Sequence, residues 1–268
     1  MITCFAKDYA GAPFILFGPG HLLALGVILL INLSFLRLRD QPRLKETMRI
    51  GLAFILLLDE ISWHAWSLAT GTWDIQHHLP LHLCSVFVWL SVWMLWKKSY
   101  PIYEFAYFLG ISGALQALLT PDAGIYGFPH YRAFQTFISH GGIVSAAVFM
   151  TLVEGYRPRL AALKRVFVWG NVYTLGVTLV NFAIGSNDLY TLHKPETASL
   201  LDMLGPWPWY LLPVEGIALL MCLLLYVPFA WQDFQGNGAP SRVRRSPEGE
   251  AVIRQQTPSG RLPNPQGC

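Results

Sequence analysis

Seven apolar segments of roughly membrane-spanning length dominate this chain and limit the folds open to it. An α-helix rises about 1.5 Å per residue, so about 20 apolar residues cross the hydrocarbon core of a bilayer. The segments are predicted at Phe17–Leu36, Met48–Thr70, Leu79–Trp96, Ile102–Leu119, Arg132–Val153, Val166–Ile184 and Trp209–Trp231. This pattern predicts an all-α, polytopic membrane helix bundle with seven transmembrane helices.

The composition agrees with a membrane protein and argues against a soluble enzyme. Charged residues make up 13% of the chain and hydrophobic residues 53%, whereas soluble domains carry about 25% charge. No basic surface interleaved with aromatic residues is apparent, so we expect no nucleic-acid partner. The location predicted is an integral, multi-pass membrane protein, in the plasma (inner) membrane if the source is bacterial.

The distribution of positive charge predicts the orientation of the bundle. Of the 19 lysines and arginines, all but Lys7, Arg132 and Lys194 follow the first, third, fifth or seventh segment. Cationic loops stay in the cytoplasm, so the N-terminus is expected outside and the C-terminus in the cytoplasm. We therefore expect a transmembrane domain over residues 1–231 and a disordered, basic cytoplasmic tail over residues 232–268.

Polar side chains inside the predicted segments gather toward their outer halves. Ionisable groups in a membrane are costly and usually face the bundle interior. The outer-half residues are Glu60, His64, His82, Gln116, Thr136, Ser139, His140, Asn181 and Glu215. Glu60 and His64 are four residues apart, so they share a helix face and can pair. The set predicts one polar cavity that opens to the outer face or the outer leaflet.

A plainer interpretation applies to each of these residues alone. A single histidine in a bundle can simply bond a neighbouring helix, and Cys84 can pack as a small apolar residue. His82 and Cys84 are two residues apart and point about 200° away from each other on a helix. If Cys84 is a nucleophile, its base must therefore come from another helix.

Three blocks of sequence resemble the YwaF-like bacterial integral membrane proteins over about residues 10 to 232. They are LPLHLCS (79–85), GALQALLTPD (113–122) and FPHYRAFQTFISHGG (128–142). This group is distantly similar to a eukaryotic transmembrane acyltransferase that moves acyl chains between glycerophospholipids with a cysteine and a histidine. The resemblance implies a catalytic histidine at His140. It would put the family cysteine at Leu81, where this chain has leucine and carries its cysteine at Cys84 instead.

The function favoured is a membrane-embedded lipid enzyme that performs acyl transfer or ester hydrolysis in the polar cavity. His140 would be the base, His82 or Gln116 would orient the substrate or stabilise the oxyanion, and Cys84 or water would be the nucleophile. Glu60, His64, Gln116, Thr136, Ser139, Asn181 and Glu215 are the predicted binding residues. We expect His82 to matter more than Cys84, membrane lipid to be the partner, and no cofactor.

Two alternatives use the same residues. A transporter or receptor-like protein would bind protons or a solute with the histidines and carboxylates. A metal site would combine His82, His140 and Glu60, but these ligands come from three helices and have no metal-ligand spacing, so no metal is predicted. The four cysteines form no CxxC pair.

Overall fold

All regular structure in the described residues is helical. The computed structural model of the chain describes residues 3–122, 124–195 and 200–236. Its α-helices are α1 (Pro19–Leu38), α2 (Pro42–Ala69), α3 (Ile75–His78), α4 (Leu83–Lys97), α5 (Tyr100–Phe105), α6 (Ile111–Leu119), α7 (Tyr131–Leu152), α8 (Leu160–Ile184) and α9 (Leu211–Phe234). A π-helical segment, Ala106–Gly110, joins α5 to α6, and 3-10 turns cover Thr3–Phe5, Asp188–Tyr190 and Leu200–Leu204. Helix α9 continues into the predicted tail, of which residues 237–268 lie outside the described residues.

Six helices in the described residues are long and apolar enough to cross a membrane. They are α1, α2, α7, α8, α9 and the continuous run Tyr100–Leu119 formed by α5, the π segment and α6. The third predicted segment is the exception, because α4 has only 15 residues. At 1.5 Å per residue it is about 22 Å long, which is shorter than a hydrocarbon core of about 30 Å.

The predicted start of the third segment at Leu79 is wrong, because the helix begins at Leu83. His82 precedes it in an extended conformation, with φ −62° and ψ 143°. Pro80 has no backbone N–H to donate to a helix, and the Tyr173 hydroxyl of α8 donates to the carbonyl of Leu81 at 2.7 Å. The residues before α4 are thus tied to α8 instead of extending α4.

Local sequence explains where several helices begin and end. Proline stands in the first turn of α1, α2 and α5, where its missing N–H costs nothing. The Asp74 side chain accepts the N–H of His77 at the start of α3. Gly185 ends α8 with φ 72°, a left-handed conformation that glycine adopts without strain.

Contacts between helix ends show that consecutive apolar helices run in opposite directions. At one end, His21 of α1 bonds the carbonyl of Leu118 in α6, and His82 before α4 contacts Asp188 after α8. At the other end, Arg49 of α2 bonds the carbonyl of Leu95 in α4. The first end, with His21, His64, His78, His82 and His130, is called the histidine end. The second, with Arg49, Arg157, Arg159 and Arg165, is called the arginine end.

Helix α7 is the centre of the bundle, and α1, α8 and α9 lie around it. Most of α7 is buried, whereas little of α8 or α9 is. Gly142 allows the close approach of α2, because a Cβ at this position would lie 2.5 Å from Leu56 Cδ2. Large apolar side chains such as Phe182 and Leu212 are exposed on the outer helices. Side chains of this kind on a membrane bundle face lipid.

Candidate functional site

Helices α4 and α7 make a tight contact with the π segment at Gly110, directly before α6. A Cβ on Gly110 would lie 3.2 Å from Phe87 Cδ1 of α4 and 3.3 Å from Ile143 Cγ2 of α7. One helical turn nearer the histidine end, α4 carries Cys84, α6 carries Gly113 and α7 carries His140. These six positions are called the three-helix layer.

Cys84 faces α6 within this layer. Its Sγ would lie 3.9 Å from a Cβ placed on Gly113, and the thiol is half-buried. Cys84 and His140 are each three residues before the position that packs on Gly110, so each lies about one helical turn nearer the histidine end than Phe87 or Ile143. By this spacing the two residues lie at a similar height on different helices.

The ring of His140 has one committed nitrogen and one that remains basic. Its Nδ1–H donates to the carbonyl of Thr136 at 2.7 Å, which fixes the tautomer with the lone pair on Nε2. In the described part of the chain, Nε2 has no hydrogen-bond partner. A neutral imidazole held in this way can accept a proton at Nε2.

Two adjacent acids lie within α2 at a depth similar to that of His140 in α7. Asp59 and Glu60 are both buried. The Gln135 amide of α7 donates to Asp59 Oδ2 at 3.2 Å, and Gln135 in turn accepts a hydrogen bond from Arg132. The guanidinium of Arg132 stacks over the Trp63 ring at 3.6 Å. Arg132 therefore reaches Asp59 through Gln135 and not by a direct ion pair.

Glu60 pairs with His64, as their spacing predicts. His64 Nε2 lies 3.6 Å from Glu60 Oε1. The indole N–H of Trp73 donates to His64 Nδ1 at 3.2 Å, so Nε2 carries the proton directed at the carboxylate. The pairing is confirmed, and the role of these two residues in binding stays a prediction.

His82 contacts Asp188, a residue that the sequence did not single out. His82 Nε2 lies 3.4 Å from Asp188 Oδ1, and the N–H of Leu189 donates to His82 Nδ1 at 3.3 Å. The Asp188 side chain is only 1% exposed, and in the described residues neither of its carboxylate oxygens has a hydrogen-bond partner. His82 is 41% exposed. The histidine therefore covers a buried carboxylate, with Nδ1 hydrogen-bonded to the backbone of the same loop and Nε2 directed at Asp188.

Asn181 holds the segment that carries Asp188. Its amide Nδ2 donates to the carbonyl of Asp188 and to Thr191 Oγ1, while its Oδ1 accepts from the N–H of Asp188 at 3.0 Å. Leu189 and Tyr190 adopt left-handed backbone with φ of 58° and 53°. Burial raises the pKa of Tyr190, and repulsion from Asp122, Asp188 and Cys84 raises it further. Asn181 is thus a framework residue of this loop.

The remaining predicted residues lie apart from these contacts. Gln116 Nε2 donates to the carbonyl of Ser112 at 3.3 Å, and Thr136 Oγ1 donates to that of Arg132 at 2.9 Å. Ser139 is buried and Glu215 half-buried, and neither has a side-chain partner in the described residues. No three His, Cys, Asp or Glu side chains of the described residues form a group that can hold a metal ion.

A groove of about 720 Å³ lies at the arginine end between α6, α7 and α9. Its apolar walls include Ile111, Leu115, Val144, Val148 and Leu225. None of the ten predicted site residues lines it. Val144, its deepest residue on α7, is one turn from His140, about 6 Å along the helix axis.

Sequence reasoning did not identify three buried polar residues of the histidine end. His21 is 1% exposed, accepts the N–H of Phe17 and donates to Leu118 O. His130 caps α7 by accepting the N–H of Arg132 and donates to Ala6 O. Asp188 lies in the loop after α8. The short stretch between Asn181 and Asp188 could have indicated this loop, but nothing in the sequence indicated that His82 contacts Asp188.

A family model matches residues 16–226, which extend from just before α1 into α9. The family is described as the TMEM164 family. The chain belongs to the TMEM164 family. Membership agrees with an integral, multi-pass membrane protein, which the six spanning-length helices also indicate. Neither the curated proteins nor the solved structures include a match to this chain.

Proposed function

We propose that this protein is a lipid enzyme of the membrane that performs acyl transfer or ester hydrolysis at the three-helix layer. The observation that carries the proposal is the shared level of Cys84 and His140, with His140 Nε2 left basic by the bond from Nδ1 to Thr136. A cysteine and a histidine at one level inside a membrane bundle suit a nucleophile and its base. The resemblance to a cysteine–histidine acyltransferase supports His140 as the base, whereas it places the family cysteine at Leu81, so the role of Cys84 rests on its position in the layer.

In the proposed mechanism, His140 Nε2 removes the proton of the Cys84 thiol. The thiolate attacks the carbonyl carbon of a lipid ester, the carbon–oxygen bond to glycerol breaks, and His140 returns the proton to the glycerol oxygen. A hydroxyl of a lysolipid or of water then attacks the thioester carbonyl while His140 takes the hydroxyl proton. The carbon–sulfur bond breaks, the acyl product leaves, and His140 returns the proton to the Cys84 thiolate. Gln116, one turn beyond Gly113 on α6, is the amide nearest in sequence for oxyanion stabilisation.

We assign the nucleophile to Cys84, of the two candidates left open by the sequence. The proposal therefore gives Cys84 more importance than His82, which is the reverse of the ranking expected from sequence. His82 Nδ1 accepts the N–H of Leu189, and its Nε2 lies 3.4 Å from Asp188 Oδ1, so both nitrogens face the loop after α8. We assign His82 a positioning role at the start of α4, two residues before Cys84. The polar cavity proposed for the outer half would be the route by which a lipid reaches this layer.

Orientation and span number complete the proposal. We infer seven crossings with the arginine end in the cytoplasm. The loops after the first, third and fifth segments lie at this end, and they carry lysines and arginines, which stay in the cytoplasm. The short α4 would reach across by means of the extended residues before it. A reporter that is active only outside the cell, fused after Gln232, should be silent, and activity there would reverse the orientation.

The test uses purified protein in liposomes that contain a phospholipid with a labelled acyl chain. We expect His140→Ala to reduce acyl release or transfer by about 10²- to 10⁴-fold, the usual contribution of a general base. Cys84→Ala and Cys84→Ser should lose a similar factor, and a hydroxylamine-sensitive acyl adduct should map to Cys84 in the unaltered protein. His77→Gln, on an exposed histidine at the same end, is the matched control and should keep full activity.

Two results separate the alternatives. Activity retained in Cys84→Ala but lost in His140→Ala would assign the nucleophile to water. Equal inactivity of all variants and of the unaltered protein on every lipid tested would overturn the enzyme proposal and leave the transporter or receptor-like function.

A further inference from the structure

The groove at the arginine end has a cationic mouth and an apolar interior. Arg39, at the end of α1, and Arg157, between α7 and α8, both line it, with Gln232 of α9 beside them. These three residues are called the groove mouth. Within the described residues, Arg39 forms no ion pair and has no hydrogen-bond partner.

Arg157 keeps donors available despite two existing contacts. Its Nη2 donates to the carbonyl of Phe229 at 2.7 Å and lies 2.5 Å from Asp233 Oδ1. Arginine has five N–H donors, and Nε and Nη1 are unpartnered within the described residues. Within the described residues, Asp233 is the one acid in direct contact with Arg39 or Arg157. The two arginines and this one carboxylate together leave one positive charge at the groove mouth.

The interior has the depth of one leaflet. Its wall on α7 runs from Val144 to Leu152, and that on the π segment and α6 runs from Tyr107 to Leu115. Each wall spans eight steps along its helix, about 12 Å, while half of a hydrocarbon core is about 15 Å. A volume of about 720 Å³ falls within the roughly 300–1,000 Å³ of ordinary ligand sites.

We propose that this groove binds one anionic phospholipid from the leaflet at the arginine end, with the phosphate on Arg39 and Arg157 and an acyl chain along the apolar walls. Basic pockets between transmembrane helices at the cytoplasmic surface suit anionic headgroups. The bound lipid is distinct from the substrate of the three-helix layer. When the headgroup of this lipid binds at the groove mouth, its acyl ester also lies near the mouth. That ester is then more than ten residues of α7 away from His140, too far to be the substrate of the three-helix layer. The proposal therefore goes beyond the proposed function.

The experiment measures lipid bound to the purified full chain by native mass spectrometry, during titration with phosphatidylglycerol or phosphatidylcholine. We expect phosphatidylglycerol to bind more tightly, as one molecule per chain. Arg39→Gln should weaken it about fivefold, since a cation near the membrane surface contributes about that factor. Arg37→Gln, two residues earlier on α1 and outside the groove lining, is the matched control and should bind normally.

Two further variants test the remaining parts of the site. Asp233→Asn removes the competing carboxylate and should tighten phosphatidylglycerol binding. Val148→Trp fills the apolar interior and should weaken both lipids by more than about tenfold, because the acyl chain loses its walls. His140→Ala should bind phosphatidylglycerol as the unaltered protein does, which keeps this test independent of the acyl-transfer proposal.

Three outcomes would overturn the proposal. They are equal affinity for the two lipids, equal effects of Arg39→Gln and Arg37→Gln, or normal binding in Val148→Trp. The tryptophan variant could fail to fold, so Arg39→Gln is the second test of the site. Arg39 is exposed and lies after the end of α1, so its replacement should not disturb folding. Displacement of the lipid by inorganic phosphate alone would assign the mouth to free phosphate instead.

Discussion

The two ends of the bundle satisfy their polar groups by different chemistry. At the histidine end, buried rings bond backbone carbonyls and amides, as His21 does with Leu118 and His130 does with Ala6. At the arginine end, full charges meet: Glu104 pairs with Arg159 and Arg165, and Glu154 pairs with Lys45 and Lys98. The histidine end therefore relies on histidine rings, both for backbone hydrogen bonds and for the contacts with Glu60 and Asp188, whereas lysines and arginines pair with the acids of the arginine end.

The difference follows from how much water each group reaches. Glu104 is 2% exposed, but both arginines that bind it are 51% exposed. Their long side chains keep charge at the surface while they reach a buried acid. His130 has no such access, since its ring is buried among Tyr126, Tyr9 and Trp66. A neutral imidazole with both nitrogens bonded is the form that such a site accommodates.

The largest effect is expected from removing the anion of the arginine end. Glu104→Ala should lower the free energy of unfolding by about 3 kcal/mol, the low end for breaking a buried ion pair, because the arginines left behind can rehydrate. The measurement is thermal or denaturant unfolding in detergent micelles. Glu104→Gln, which keeps the shape and loses the charge, should cost less. Equal losses for the two variants would show that packing, not charge, holds this end together.

At the histidine end, His130→Ala should cost about 2 kcal/mol. It removes the cap that accepts the N–H of Arg132 and the bond to Ala6, and a lost N-cap alone costs about 1 kcal/mol. His130→Asn restores a good capping oxygen and should recover part of the loss. If the asparagine variant unfolds as readily as the alanine variant, the cap contributes little, and the ring stacking dominates.

Sequence reasoning predicted the bundle far better than the sites inside it. Apolar length and the positions of arginine depend on the membrane alone, so six helices could be located without knowledge of their neighbours. The start of α4 was missed because Pro80 and a bond from Tyr173 to Leu81 outweigh apolar content. The pairing of Glu60 with His64 was predictable because it lies within one helix.

Contacts between helices escaped prediction for a physical reason. Asp188 reaches His82 only because Leu189 and Tyr190 adopt left-handed backbone and Asn181 holds the loop. The groove is lined by side chains such as Val144 and Val148, which look like any lipid-facing residues in the sequence. The level shared by Cys84 and His140 depends on the packing of α4 and α7 at Gly110. None of these contacts between helices produces a repeating pattern of residues from which it could be predicted.

Acid should weaken the histidine end specifically. Burial lowers the pKa of His130, and the charge of Arg132 lowers it further against the opposing bond to Ala6. Burial likewise lowers the pKa of His78. The unfolded chain then binds more protons than the folded one below about pH 6.5. The free energy of unfolding should be level above that pH, fall as pH drops below it, and stop falling below the folded pKa.

The control for this pH effect comes from the comparison of the two ends. His130→Asn should flatten part of the loss between pH 7 and pH 5, while Glu104→Gln should keep the slope of the unaltered protein. Unfolding followed at several pH values, with each variant in the same detergent, measures this slope. If the pH slope disappears in Glu104→Gln but persists in His130→Asn, the acid sensitivity lies at the arginine end, and the prediction is wrong.

The smallest effect is expected at Lys98, where two contributions oppose each other. Lys98 ends α4 in a left-handed conformation, with φ 52° and ψ 42°, and its ammonium lies 3.3 Å from Glu154 and 3.6 Å from Glu46. Lys98→Gly loses a half-exposed ion pair, worth less than about 1 kcal/mol, and relieves a backbone cost of about 1 kcal/mol. The free energy of unfolding should therefore change by less than about 0.5 kcal/mol.

Lys98→Ala loses the pair and keeps the strain, so it should be less stable than the glycine variant by about 1 kcal/mol. Equal stability of the two variants would mean that the left-handed end of α4 carries no strain and that the ion pair alone determines the choice of lysine.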